Sequence, residues 1–144
     1  MANGRILMAQ ELRGLVEAAA TALQARPDGP EVIACEDGGI FLTHYARLLR
    51  AGQPPRLCVL DTRLPGLPAM AAGLGARAVE RGLGLPPVPI LFHTAEGASD
   101  ELRQMLGRVG RAVHLQRLAE LPLEEQARRL SIAVEKLLVQ LGGK

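Results

Sequence analysis

Tryptophan is missing from this chain, and the other aromatics are nearly so: one Tyr and two Phe among 144 residues. That poverty argues against a platform for stacking nucleic-acid bases or a flavin ring, since both need several rings. Cysteine is scarce too. Cys35 and Cys58 each sit in an apolar run, and neither belongs to a CxxC pair. The spacing offers no disulfide framework and no thiolate metal site, so both read as buried, reduced thiols. Charge of one sign is also lacking. Lys and Arg number 17 against 15 Asp and Glu, a net charge of +2, and the basic residues are scattered. Nothing in that balance calls for nucleic acid. No apolar run reaches the length of a membrane span, and "MANGRILMAQ" has no signal-peptide pattern. The expectation is a cytoplasmic protein without membrane contact.

What is present is apolar and periodic. The hydrophobic fraction is 48 %, enough for a core within a single domain over residues 1–144. Short apolar runs alternate with helical patterns. "RILMA" at 5–9 predicts a strand, and Leu12, Leu15, Val16, Ala19 and Leu23 then predict an amphipathic helix over 11–25. "EVIAC" at 31–35 is a second strand, followed by a helix marked by Phe41, Tyr45, Leu48 and Leu49. "RLCVL" at 56–60 is a third strand, and an Ala-rich helix follows over 67–82. "VPILFHT" at 88–94 is a fourth, before a helix capped by Ser99 with Asp100 and Glu101 in its first turn. "RAVHLQ" at 111–116 is a fifth, and a long stripe from Leu123 to Leu141 marks a closing helix. The strands are apolar nearly throughout, so all five are expected to be buried on both faces. That is the signature of a parallel sheet between helices, an α/β three-layer sandwich.

Such open sheets bind ligands at the carboxyl ends of their strands. The residues there are Gln10 and Glu11 after strand one, Asp61 after strand three, Thr94 after strand four, and Gln116 and Arg117 after strand five. Carboxylates, a hydroxyl and a cation therefore converge on one edge. His93 and His44 have no partners at ligand spacing and read as structural or surface residues.

Four segments, in order, resemble the receiver domains of two-component response regulators: "RILMAQE", "VLDTRLPGLPA", "ILFHTAEG" and "AVHLQR". The resemblance covers almost the whole chain. It implies the flavodoxin-like receiver fold, a five-stranded parallel sheet in the order 2-1-3-4-5. It also implies a phosphorelay role and no enzymatic output. A histidine kinase or phosphotransfer protein would pass a phosphoryl group to Asp61, forming an acyl phosphate. Mg²⁺ would be held by Glu11, Asp61 and the backbone carbonyl of Arg63. Thr94 and Arg117 would engage the new phosphate, and Thr94 with His114 would form the switch. No output domain is expected after residue 144. The signal would then pass through contacts of the fourth helix, fifth strand and fifth helix with a downstream protein. The closing stripe has a second reading as a homodimer face.

The chain also departs from the family pattern. Gln10 stands where the first acid usually stands, which weakens or abolishes Mg²⁺ binding. Arg117 replaces a Lys, and its planar fork is suited to pairing with a carboxylate such as Asp61. Leu118 replaces a Pro, and Pro68 and Ala69 replace an Asp-Gly pair. A second reading follows from these changes: a pseudo-receiver, an interaction module that works without phosphate. A small α/β enzyme is disfavoured, because the chain has no Gly-rich phosphate loop and no nucleophile elbow.

Overall fold

The computed structural model describes residues 4–95, 97 and 99–142. Five strands alternate with five helices: β1 (Arg5–Ala9), α1 (Arg13–Gln24), β2 (Glu31–Cys35), α2 (Gly38–Arg50), β3 (Leu57–Asp61), α3 (Ala69–Leu83), β4 (Ile90–Thr94), α4 (Asp100–Val109), β5 (Ala112–Gln116) and α5 (Leu123–Gly142). All strand pairs are parallel, in the order β2-β1-β3-β4-β5. The predicted elements are all present. Asp61 is the last residue of β3 and not the first residue of the turn, and α3 begins at Ala69, just after Pro68.

Alternation along the strands builds two cores. On one face Leu7, Cys58, Leu60 and Phe92 pack with Phe41 and Tyr45 of α2, Ala72 and Ala76 of α3, and Val109 of α4. On the other, Ile6, Met8, Val59 and Leu91 pack with Leu15 and Leu23 of α1 and Leu130 and Val134 of α5. Cys35 and Cys58 are buried free thiols, and burial pushes both up, Cys35 to about 12.

Burial on both faces holds for the central strands and fails at the edges. β1 is buried from Ile6 onward, and β3 and β4 throughout. Glu31 and Ala34 of β2 are exposed, and Val113 of β5 is 45 % exposed. An edge strand has a neighbour on one side only, and the flanking helices do not reach across it.

Local chemistry sets the helix starts next to the site. Asp37 caps α2 by accepting from the Ile40 N–H at 2.7 Å, and Ser99 caps α4 by accepting from Leu102 N–H at 3.1 Å. The β3–α3 loop rests on the start of α2, where the Gly38 N–H donates to Pro65 O. A Cβ on Gly38 would lie 2.4 Å from the Leu67 carbonyl oxygen, so only glycine allows this approach. Gly66 turns the loop with φ +76°.

One buried ion pair ties three helices together. Arg77 and Glu80 of α3 are 7 % and 2 % exposed and pair at 2.8 Å. Glu80 also accepts from the Tyr45 hydroxyl of α2 and from the Val88 N–H. Arg77 donates to the carbonyls of Val109 and Gly110 at the end of α4. Next in the chain is Arg111, the one non-glycine at positive φ (46°) among the described residues. Removing one partner of such a pair strands the other charge. Arg77→Met is expected to cost about 3–5 kcal/mol in urea unfolding at pH 7. Arg128→Met breaks the exposed pair with Glu125 and should leave the midpoint unchanged.

Candidate functional site

The register of the three central strands builds the site. Ala9 lies beside Leu60, and Asp61 lies beside His93. Gln10, Asp61, His93 and Thr94 therefore meet at the carboxyl edge of the sheet, beside the point where strand order reverses. All four are 4 % exposed or less.

Asp61 is 1 % exposed, and its carboxylate is held by backbone. Oδ1 accepts from the Arg63 N–H at 2.9 Å, and Oδ2 accepts from the Glu11 N–H at 3.1 Å. The first contact closes a turn directly after β3. The second reaches across to the β1–α1 loop. Glu11, Asp61 and Arg63 are thus brought together, with the Glu11 side chain exposed beside them.

The other candidates are oriented elsewhere. The Thr94 hydroxyl accepts a 2.6 Å hydrogen bond from the Thr62 hydroxyl. The Arg117 backbone N–H donates to Thr94 O at 2.6 Å. Its guanidinium does not clamp Asp61: Nη1 donates to Gln126 Oε1 of α5 at 3.1 Å, and Nε is buried with no partner among the described residues. Gln126 is tied in turn to Leu121 O at 2.8 Å. Arg117 leaves β5 on the side facing α5, where a neutral amide meets it first. His114 is half-buried on β5, and its buried Nε2 has no partner among the described residues.

Two of these partners escaped sequence reading. His93 is 2 % exposed, and its Nδ1 lies 3.1 Å from Nε2 of Gln10. A histidine inside an otherwise apolar strand was the available signal. Gln126 is the other; a glutamine beside the α5 stripe is too ordinary a feature to single out. Burial, with Arg117, Arg129 and His114 nearby, pushes His93 down to about 4. It is therefore neutral at pH 7, and its Nδ1 can accept from the Gln10 amide.

The oxygens at the site suit a hard cation, though sparsely. Among the described residues no group of three or more His, Cys, Asp and Glu is placed to hold a metal ion. What the site offers is the carboxylates of Asp61 and Glu11, the Arg63 carbonyl, and Oε1 of Gln10, which is buried without a partner. Mg²⁺ needs only one or two carboxylates and keeps several waters, so this donor set fits it weakly.

The lowered pKa of His93 has a consequence for stability. The unfolded chain binds a proton on this ring below about 6.5, while the folded chain resists until about 4. Stability is therefore complete above 6.5 and falls as pH drops through that window, by on the order of 2–3 kcal/mol. Urea titrations between pH 7 and 4.5 should show the slope. His93→Gln keeps a polar partner for Gln10 without titrating, and should flatten it.

No family model and no curated protein sequence matches the chain. Solved structures do. The phosphorylated cyanobacterial phytochrome response regulator RcpA is 15 % identical with a TM-score of 0.74, over 96 % of this chain and 95 % of that one. The Mg²⁺ complex of the receiver domain of the histidine kinase CKI1 from Arabidopsis thaliana is 17 % identical with a TM-score of 0.73, over 95 % and 93 %. A CheY-like receiver domain protein from Methanospirillum hungatei is 16 % identical with a TM-score of 0.72, over 97 % of each chain. At such identities the likeness is one of architecture: this chain has the fold of the response regulator receiver domains.

Proposed function

We propose that the chain works as the receiver domain of a response regulator. It takes a phosphoryl group from a histidine kinase or phosphotransfer protein on Asp61 and signals through protein contacts in the cytoplasm, with no catalytic output of its own. The observation that carries this reading is the setting of Asp61. Its carboxylate ends a central strand at the switch point, and two backbone amides from neighbouring loops aim it.

Each carboxylate oxygen accepts one N–H and keeps a second lone pair. One oxygen can then attack the phosphorus of a phosphohistidine. The new P–O bond replaces the P–N bond, and the histidine leaves with the proton it needs from solvent. When bound, Mg²⁺ neutralises charge between the carboxylates and the phosphoryl oxygens; Asp61, Glu11 and the Arg63 carbonyl would hold it. The amide N–H groups of Glu11 and Arg63 keep the acyl phosphate oriented. Thr94 and Arg117 sense it by leaving their present partners. The surface of α4, β5 and α5 is the proposed output face, and Val113, 45 % exposed, lies on it.

A second reading has its own support. Gln10 is occupied by His93, and Arg117 by Gln126, so neutral contacts stand where a phosphorylation site uses charge. Those contacts favour a pseudo-receiver that binds partners without phosphate.

Intact mass after incubation with Mg²⁺ and acetyl phosphate separates the two. The first reading expects a gain of one phosphoryl in the wild type and none in Asp61→Asn. No gain in the wild type, together with unimpaired partner binding by Asp61→Asn, leaves the pseudo-receiver.

A further inference from the structure

Asp61 and Thr94 are the two poles of the proposed switch, yet the fold sets them on different faces of the sheet. Leu57 and Val59 of β3 pack in the α1/α5 core, and Asp61 follows them in the alternation. Cys58 and Leu60 pack in the α2/α3/α4 core, and Thr62, in the turn after β3, lines a cleft on that same side. On β4, Ile90 and Phe92 pack in the same core, and Thr94 follows them. Thr62 and Thr94 thus meet on the α3/α4 side. Both line a cleft of about 250 Å³ with Met70 of α3 and Leu102 and Met105 of α4. Among the described residues, neither Thr94 nor Thr62 bonds the Asp61 carboxylate, whose oxygens go to Arg63 and Glu11.

Among the described residues, Thr62 contacts Thr94 on that side through a 2.6 Å hydrogen bond that Thr94 accepts. Thr94 is 1 % exposed, so its hydroxyl gains little from water in compensation when that bond breaks. We propose that Thr62 is a positioning residue: its hydroxyl latches the Thr94 side chain on the α3/α4 side and sets the cost of turning it toward a phosphoryl group on Asp61. The residue directly after the phosphoacceptor thereby tunes the resting state of the switch. This rests on the phosphoacceptor reading of Asp61. Thr62 touches neither the phosphoryl group nor the attacking oxygen; it acts through Thr94.

The test uses the full chain with ¹³C-labelled threonine methyls, titrated with beryllofluoride in Mg²⁺ buffer as a mimic of the phosphoryl group. Thr62→Val keeps the shape and removes the donor. It should bind the mimic about fivefold tighter than wild type, the equivalent of one ordinary hydrogen bond. In the free Thr62→Val protein the Thr94 methyl signal should already lie displaced toward its position in the wild-type complex. Thr62→Ser restores the donor and should return both readings to wild type. A purely structural role for Thr62 would lower stability without moving either. If wild type binds the mimic but Thr62→Val binds it no tighter, with Thr94 unmoved, the latch is overturned. If wild type itself does not bind, the phosphoacceptor reading falls and takes the latch with it. The first failure appears in the variant alone and the second in the wild type, so they are told apart.

Discussion

A carboxylate that is 1 % exposed must find hydrogen-bond donors, and at Asp61 both donors are backbone amides. Everything else at the site follows from that requirement. The Arg63 amide is available only because the chain turns immediately after β3. The Glu11 amide is available only because β1 lies beside β3, which brings a residue 50 positions away within 3.1 Å. A parallel sheet with buried central strands delivers both, since it aligns strand ends and leaves their loops to converge. The glycine at position 38 completes the support, letting the β3–α3 loop lie directly on α2.

Around that carboxylate the chain uses neutral partners. The Gln10 amide meets an uncharged imidazole, and the Arg117 guanidinium meets an amide. Buried polar groups must be paired, but nothing requires the pairing to be ionic. Among the described residues, Gln10 Oε1, His114 Nε2 and Arg117 Nε find no partner. Unpaired groups in a buried setting are costly. Gln10 and Arg117 lie at the carboxyl edge and His114 in the middle of β5, whereas at the far side of the domain Arg77 and Glu80 pair with each other. The lower half of α3 and the end of α4 are pinned by a buried ion pair, whereas the described side-chain contacts near Asp61 are hydrogen bonds without an ion pair.

Much of this was legible in the residues. Apolar runs of five, spaced by amphipathic stretches, mark β1 to β5 and α1 to α5 because side-chain periodicity is imposed by backbone geometry. Ser99 before Asp100 and Glu101 marks the start of α4 for the same local reason. Asp61, Glu11, Thr94 and Arg117 could be placed on one edge because strand ends in a parallel sheet share an edge. Other features were not legible. Exposure of Val113 could not be read from β5, because an apolar strand looks alike at the centre and at the edge of a sheet. Helical periodicity also places Arg77 and Glu80 on α3 without showing that Tyr45, 35 residues away, closes over them.

By itself the sequence determined which elements form, in what order, and which chemistry stands at the strand ends, since those depend on neighbours a few residues apart. The tertiary structure alone decided who bonds to whom. Arg117 turned to Gln126 and away from Asp61, Gln10 found His93 across 83 residues, and Thr94 took Thr62 as its donor across 32. Those choices depend on which side of the sheet each side chain leaves and on what waits there, and strand order together with helix packing supplies both.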